Sequence, residues 1–420
     1  MGTLVRKTWK VIAVFVLVIA ADRAMSGGSG YSRYGIGDVR YVPNARAFGM
    51  GGVSFAVLGT AEVNRFNPAT WTNLKRTTFS GTFFYEGFST TDGVNSAYFG
   101  SGEFGGAILA VPIAPSRGIV FAGGFSPYST VNYDIAAIVT NSGQSGIEYD
   151  LRYTGSGGLS TALLGLSYAP TSNLHLGLQT QYLFGTIENF WRFKFLSSSF
   201  SDSETRRTTE FRGFQFTFGV IHSGIGSWIG LSDHHRLSLG ALITAPADLT
   251  AERQRLLIRD SRTDTLTLAE GTAFIPARFG LGAAITIDSR YLIGTDVSYQ
   301  NWKRYEEFGI HPIELRNSLR WSVGAERLPA RQRASFGDRI AYRLGFTYNA
   351  TYYQVKNKSL DEIFISGGIG FPLGPETGIN LAVEYGLRGT TENQLQRDNI
   401  LHFIVTVNVG ELWFVRAPEE

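Results

Sequence analysis

The chain has 420 residues, enough for two ordinary domains or for one large all-β unit. It contains no Cys, which excludes a disulfide framework and a thiolate metal site. Its 50 Gly, 30 Phe and 19 Tyr, with only 17% charged residues, suit a protein with many strands that meet an apolar environment.

Residues 1–26 have the organisation of a secretory signal peptide. Basic residues at positions 6, 7 and 10 precede an apolar run over 11–21, and small residues precede a predicted cleavage site near Gly27. The run is too short to cross a bilayer as a helix, and the alternative is a buried N-terminal helix. Without this segment the chain holds 34 basic and 34 acidic residues. A chain without a basic excess is a poor partner for nucleic acid.

Residues 27–75 are rich in small residues and show no clear strand or long helix. Small residues let one backbone approach another closely, and glycine permits bends that other residues resist. Such an apolar and irregular segment needs to be enclosed, although a helix and turn lying on a soluble core is the alternative. The notable positions are Gly49, Gly51, Gly52 and the triplet Asn67, Pro68 and Ala69.

From about Arg76 onward, apolar and polar residues alternate with a period of two. In one example, Leu381, Val383 and Tyr385 fall on one face of a strand, and Glu384 and Arg388 fall on the other. The pattern predicts fourteen strands, at 77–86, 95–112, 118–131, 158–170, 173–190, 207–222, 235–249, 267–287, 290–302, 318–327, 339–350, 362–371, 378–390 and 400–416.

An even strand number is typical of a single-chain bacterial outer-membrane barrel. The links after odd-numbered strands are predicted to be longer and more polar than most links after even-numbered strands, as expected of extracellular loops opposite periplasmic turns. Trp302, Trp321 and Trp413 lie near predicted strand ends, where a membrane girdle would use them. We therefore predict an all-β fold, a transmembrane antiparallel β-barrel of about 14 strands formed by residues 76–420.

A barrel of fourteen strands is too wide for its own side chains to fill, and residues 27–75 are available to fill it. A glycine-rich segment that ends in Asn67-Pro68-Ala69 resembles the N-terminal hatch of the FadL/TodX-like long-chain fatty acid and hydrocarbon transporters of bacterial outer membranes. The stretch Tyr31–Gly35 and the C-terminal part from Glu384 are similar to members from Bacteroidetes-like bacteria. The resemblance implies that residues 27–75 are a hatch that plugs and gates the lumen.

The same resemblance implies a lateral opening in the third strand. Gly123 and Gly124 weaken strand pairing there, and Pro127 cannot donate to the ladder. An ordinary bulge is the alternative.

The resemblance further implies a ligand-capture groove in the extracellular loops. Phe190, Trp191, Phe193 and Phe195 open the predicted loop after the fifth strand and form an aromatic patch. In the alternative, the strand continues past the membrane and packs these rings on its neighbours. The polar loop predicted over 250–266 carries Arg253, Arg255, Arg259 and Arg262, as a carboxylate-binding surface or a solvated face.

Signals for an enzyme are poor. Asp233-His234-His235 lacks the spaced partners of a metal site, and no glycine-rich stretch has the strand-then-helix context of a phosphate loop. We expect no catalytic residue, metal or cofactor, although a barrel enzyme with a site built from distant strands is not excluded by the pattern.

The predicted function is uptake of hydrophobic molecules, such as long-chain fatty acids, across the bacterial outer membrane. The partners are then an apolar ligand and membrane lipid. The alternative is a barrel that serves a type IX-like protein secretion system and binds cargo protein. A general porin for polar solutes is less favoured, because a plug would obstruct it.

Overall fold

The computed structural model describes residues 28–41, 44–59, 62–140, 148–195, 201–232, 234–259, 262–330, 335–374 and 376–412. The predicted signal peptide and Trp413 lie outside these ranges. Among the residues described, no helix is long and apolar enough to cross a membrane.

Strands dominate the chain. Their bounds are β1 Asp38–Val39, β2 Thr77–Thr91, β3 Ser96–Ala114, β4 Ile119–Pro127, β5 Ser129–Thr140, β6 Glu148–Tyr168, β7 Leu174–Phe195, β8 Ser203–His222, β9 His235–Thr244, β10 Ala247–Arg259, β11 Arg262–Ile275, β12 Arg278–Ile287, β13 Tyr291–Gln300, β14 Glu306–Glu307, β15 Ser318–Arg327, β16 Ala341–Val355, β17 Lys358–Gly374, β18 Thr377–Gly389 and β19 Arg397–Glu411. Two short α-helices occur, α1 Ala45–Gly49 and α2 Ile225–Trp228.

The strands from β2 to β19 close into one antiparallel barrel, because β19 pairs with β2. Three barrel strands are each made of two segments: β4 with β5, β9 with β10, and β11 with β12. Counting each couple once, and leaving out the short β1 and β14, gives fourteen strands. The predicted number and order are confirmed.

The two faces of the wall differ as the alternation predicted. On β18, Val383 and Tyr385 are 45% and 54% exposed on the outer face, whereas Glu384 and Arg388 are each 3% exposed inside. Large apolar side chains cover the outside of many other strands. An apolar exterior around a polar interior is the arrangement of a barrel that meets lipid.

We call the end at which β2 begins, at Thr77, the base, and the opposite end the top. At the top, several predicted loops are extensions of the strands. The region 351–361 is a hairpin closed by a two-residue turn. The turn residues Lys356 and Asn357 have φ of 49° and 62°, as a type I′ turn requires. The prediction of a longer link over 351–361 was wrong, because the hairpin signal lies in backbone conformation rather than in polarity.

An apolar cluster fills the upper part of the barrel interior. Trp302 stacks on Tyr352 with ring centroids 4.6 Å apart, and both are fully or nearly buried together with Tyr305. Tyr31 and Ile36 of the N-terminal chain belong to the same cluster. The prediction that Trp302 lies in a membrane girdle was therefore wrong, since its strand ends at Gln300 and the following turn points inward.

Candidate functional site: the lumen segment and the break in the wall

The described residues of 28–75, which we call the N-terminal segment, contact the inward faces of many barrel strands. Helix α1 begins after Asn44, whose Oδ1 accepts a hydrogen bond from the backbone N of Ala47 at 2.9 Å. The backbone N of Ala45 donates to Thr406 Oγ1 of β19 at 2.9 Å. The cap and the wall together satisfy two of the backbone donors that the first helical turn leaves free.

The three glycines of the predicted hatch lie where this helix ends. Gly49 is in close contact with Gly368 of β17. Gly51 has φ of +70° and Gly52 has φ of +91°, conformations that favour glycine. The backbone N of Gly51 donates to Ser366 Oγ at 3.0 Å, and its carbonyl oxygen accepts from Thr347 Oγ1 at 2.6 Å.

The triplet Asn67, Pro68 and Ala69 lies against the other side of the wall. Asn67 is completely buried; its Nδ2 donates to the carbonyl of Phe55 at 2.7 Å and its Oδ1 accepts from the backbone N of Ala69 at 3.1 Å. Pro68 starts the 3-10 helix Pro68–Asn73, where its missing N–H costs nothing. A hydrogen-bonded turn at this position links the two halves of the N-terminal segment.

Glycines of the barrel wall make these contacts possible. The sequence analysis did not identify these glycines. A Cβ added at any of several inward positions would stand closer than 3.0 Å to the N-terminal segment. The five tightest are Gly177, Gly219, Gly240, Gly324 and Gly345. The available signal was glycine at polar-face positions of the alternating strands, which weakens a strand unless another backbone approaches there.

Buried ion pairs link the N-terminal segment to the wall. Arg46 Nη2 lies 2.7 Å from Glu326 Oε2 of β15, and the other oxygen of that carboxylate lies 2.8 Å from Arg343 Nε of β16. Burial acts to lower the pKa of Arg46, but Glu326 and Glu62 outweigh it and leave that pKa raised. Breaking such a pair on one side leaves an uncompensated buried charge.

The wall is interrupted in its third strand. β4 pairs with β3 at residues 107–114, but β5 pairs with β6 and with the short strand β1 instead of with β3. In the part of the chain that the structure describes, the stretch 96–106 of β3 has no strand partner on that side. A bulge at Gly105 in β3, together with Pro127 at the end of β4, marks where the ladder ends.

Gly123 and Gly124 do not open the wall themselves. Gly123 pairs with Leu109 of β3 and with Leu164 of β6, and Gly124 pairs likewise on both sides. The pairing of β4 with β3 ends at Phe125, so the predicted location of the gap was one to two residues too early, and Pro127 lies just beyond the last pair. The physical reason is that glycine keeps its N–H and can stay in the ladder, whereas Pro127 has no N–H to donate to a continued pairing with β3.

The four aromatic residues predicted to capture a ligand lie on β7 rather than in a loop. Trp191, Phe193 and Phe195 share the inward face of the strand, and Phe190 lies on the outer face. All four are half-buried, and the guanidinium of Arg207 lies 5.0 Å from the Trp191 ring. The structure agrees with the alternative in which the strand continues, and a capture role stays a prediction. The arginines of 250–262 likewise lie on β10 and β11.

The cavities among the described residues are small inside the barrel. A void of about 70 Å³ lies between the N-terminal segment and the wall. Its charged lining residues are Asp38, Arg40, Glu86, Arg320, Glu362, Glu384, Arg388 and His402. A wider cavity of about 680 Å³ opens at the base. Drug-sized ligands need a few hundred Å³, so the void of about 70 Å³ is too small to hold one.

No group of three or more metal-ligating side chains occurs in the described part of the chain, from which Asp233 is missing. The fold instead brings together two sets of residues. One set holds the N-terminal segment in the lumen, and the other borders the break in the third strand. The class defined here is a closed fourteen-stranded barrel with an N-terminal segment in its lumen and an interrupted third strand.

Comparison with known proteins gives a family. The chain belongs to the BamG family, whose model matches residues 4–418. None of the curated proteins matches the sequence.

Several solved structures share the fold. The toluene transporter TodX of Pseudomonas putida is 15% identical, with a TM-score of 0.57 over 88% of this chain and 98% of that one. A FadL homologue from Pseudomonas aeruginosa is 14% identical, with a TM-score of 0.58 over 88% and 99%. The CymD monoaromatic hydrocarbon channel is 12% identical, with a TM-score of 0.56 over 89% and 98%. The predicted FadL/TodX-like fold is confirmed, and the Bacteroidetes-like placement stays a prediction.

Proposed function

We propose that this protein is a bacterial outer-membrane channel that takes up hydrophobic small molecules through the break in its third strand. The observation that carries this proposal is the separation of β5 from β3. Free strand edges are costly next to lipid, so a barrel that keeps such a break gains something from it. An opening at the side admits an apolar molecule from the membrane without exposing it to water.

Two further observations support the proposal. The outer face of the barrel is apolar, which suits the outer membrane and makes its lipid the surrounding partner. The structures similar in fold include a toluene transporter and a monoaromatic hydrocarbon channel. Passage of an unaltered apolar molecule requires neither catalysis nor a cofactor.

Uptake requires the N-terminal segment to move, because the luminal void is small and charged. The parts proposed to move are the turn at Gly51 and Gly52 and the helix start at Pro68, where the segment packs on wall glycines and the positive φ of Gly51 and Gly52 lets the chain turn. In this proposal the apolar molecule passes through the break, and movement of the N-terminal segment controls its passage.

The test is uptake of radiolabelled oleate by cells that carry the barrel at matched surface levels. Gly102 lies on the outer face of β3 beside the break, and nothing stands within 4 Å of an added Cβ. Gly102→Trp therefore places a bulky ring at the margin of the break without a clash. The matched control is Leu281→Trp, at a position on the outer face of β12 that is 66% exposed. We expect uptake to fall in the Gly102 variant alone; equal uptake in both variants would refute the route.

A second candidate is a binding role toward a secreted protein, as in a type IX-like secretion system. The observation that favours it is that the upper lumen is filled, whereas a cavity of about 680 Å³ lies at the base and is open to the solvent there. Co-purification of cargo protein with a barrel that neither binds nor takes up oleate would favour this candidate.

A further inference from the structure

We infer that Arg40 is a latch that holds the N-terminal segment across the break in the wall, and that its release opens the lateral route. This inference rests on the proposed function only for the kind of molecule that passes through the break. The way in which the break is closed follows from the contacts of Arg40 alone.

On one margin, Arg40 is fixed to β5. The preceding residues Asp38 and Val39 pair with Thr130 and Ser129. The backbone N of Arg40 donates to the carbonyl of Tyr128 at 2.9 Å, and its Nε donates to Thr130 Oγ1 at 3.2 Å. Strand β1 thus occupies the edge of β5 that β3 has left.

On the other margin, the guanidinium of Arg40 reaches the hairpin of β2 and β3. Its Nη1 lies 2.9 Å from Glu86 Oε2, and its Nη2 lies 3.2 Å from Glu103 Oε2. The Arg40 side chain is 12% exposed, so these charge-assisted bonds are poorly screened by solvent. One side chain therefore joins both margins of the break.

The cavities show what the latch separates. A void of about 10 Å³ lies within the break, lined by Ser101 and Glu103 of β3 and by Thr130 of β5, among others. The luminal void of about 70 Å³ lies behind it. Arg40 and Glu86 line both voids. Withdrawal of the guanidinium would join them into one path from the wall to the lumen.

The strength of this latch is limited by its own surroundings. Strand β1 is two residues long, so its pairing with β5 contributes few hydrogen bonds. Glu86 also accepts from His402 at 2.9 Å, so that carboxylate keeps a partner when Arg40 leaves. Arg40 can therefore leave while Glu86 keeps a hydrogen-bond partner, which suits a contact that opens and closes.

Arg46 provides a matched control elsewhere on the N-terminal segment. It is also a largely buried arginine in an ion pair with a wall carboxylate, and Glu326 likewise keeps a second partner, Arg343. Its contacts are with β15, far around the barrel from the break. Loss of Arg46 loosens the segment without unlatching the break.

The test uses Ser101→Cys in the full chain, which has no other cysteine, reconstituted in lipid vesicles. The probe is N-(1-pyrenyl)maleimide dissolved in the bilayer, and a sulfonated, membrane-impermeant maleimide is the reference reagent. We expect Arg40→Gln to raise the rate of pyrene labelling about tenfold or more, as loss of charge-assisted hydrogen bonds predicts. Arg46→Gln should leave that rate unchanged.

Glu103→Gln is the second variant, in case Arg40→Gln does not fold. It removes only the bond to β3, and we expect a smaller increase in labelling. Equal labelling in the Arg40, Glu103 and Arg46 variants would overturn the latch, and so would an equal rise with the sulfonated reagent, since that indicates general loosening. Latch-dependent labelling without oleate uptake would refute the proposed function and leave the latch standing.

Discussion

Replacement of Gly345 tests whether the N-terminal segment is held by its close approach to the wall. An added Cβ at this position of β16 would overlap the backbone of Met50 and Gly51 and come within 2.6 Å of Ser366 Oγ. The first two neighbours are backbone, which cannot rotate away. Gly345→Ala must therefore displace the chain at Gly51.

The expected cost follows from two sources. Overpacking of a tight contact costs about 1–3 kcal/mol. Displacement also breaks the hydrogen bonds of Gly51 with Ser366 and Thr347, each worth about 1 kcal/mol. A total of about 3–5 kcal/mol corresponds to roughly 100- to 4,000-fold more frequent opening of this turn. The barrel itself keeps its ladder, because Gly345 pairs through its backbone.

The assay is amide hydrogen exchange over residues 44–59 in detergent-solubilised protein, with heat-modifiable gel mobility to confirm an intact barrel. Gly367→Ala is the matched control, since a Cβ there meets only the Arg343 carbonyl at 3.8 Å. We expect faster exchange in the Gly345 variant alone. Equal exchange in the two variants would refute the idea that close backbone approach holds the segment.

Three further substitutions test other contacts. Glu326→Gln removes the carboxylate that Arg46 and Arg343 share and leaves Glu62 as the remaining acidic neighbour of both, so it should lower the free energy of unfolding in urea by about 3–5 kcal/mol; an unchanged midpoint would contradict it. Asp296→Ala removes the acceptor of two backbone N–H groups and should cost about 2–4 kcal/mol, seen as faster proteolysis near residue 54; wild-type cleavage rates would count against it. Trp302→Ala should lower stability by about 3–5 kcal/mol, because the ring is fully buried against Tyr352; a loss below 1 kcal/mol would disprove the apolar cluster.

The barrel was predictable because strand alternation is local. A residue such as Val383 faces outward and Glu384 faces inward whatever the rest of the chain does, so strand number and order follow from the sequence alone. Strand ends were predicted less accurately than strand number. Lys356 and Asn357 form a tight turn where the polar sequence indicated a loop.

The contacts of the N-terminal segment were not predictable in the same way. Arg46 meets Glu326, and Asp38 meets Arg388 at 2.8 Å, although hundreds of residues separate each pair in the sequence. Alternation places Glu326 inside the barrel but does not say what stands opposite. The small residues of the N-terminal segment indicated close packing. The structure shows that they pack against glycines of the wall, such as Gly345.

The position of the break shows a third limit. Gly124 and Pro127 are both unfavourable in a strand, and the pairing of β4 with β3 ends between them, at Phe125. Gly157 and Gly158 of the neighbouring strand have φ of +101° and +139°. These residues lie where β6 changes its partner from β4 to β5, and sequence reasoning had no means to assign their conformation.

The most direct measurement of the central claim is photolabelling of the reconstituted barrel by a diazirine-bearing long-chain alkane, with the modified residues mapped by mass spectrometry. We expect modification of residues that line the void at the break, such as Ser101 and Thr130, in addition to the outer face of the wall. Modification confined to outward residues such as Leu281, at similar levels around the barrel, would contradict lateral entry.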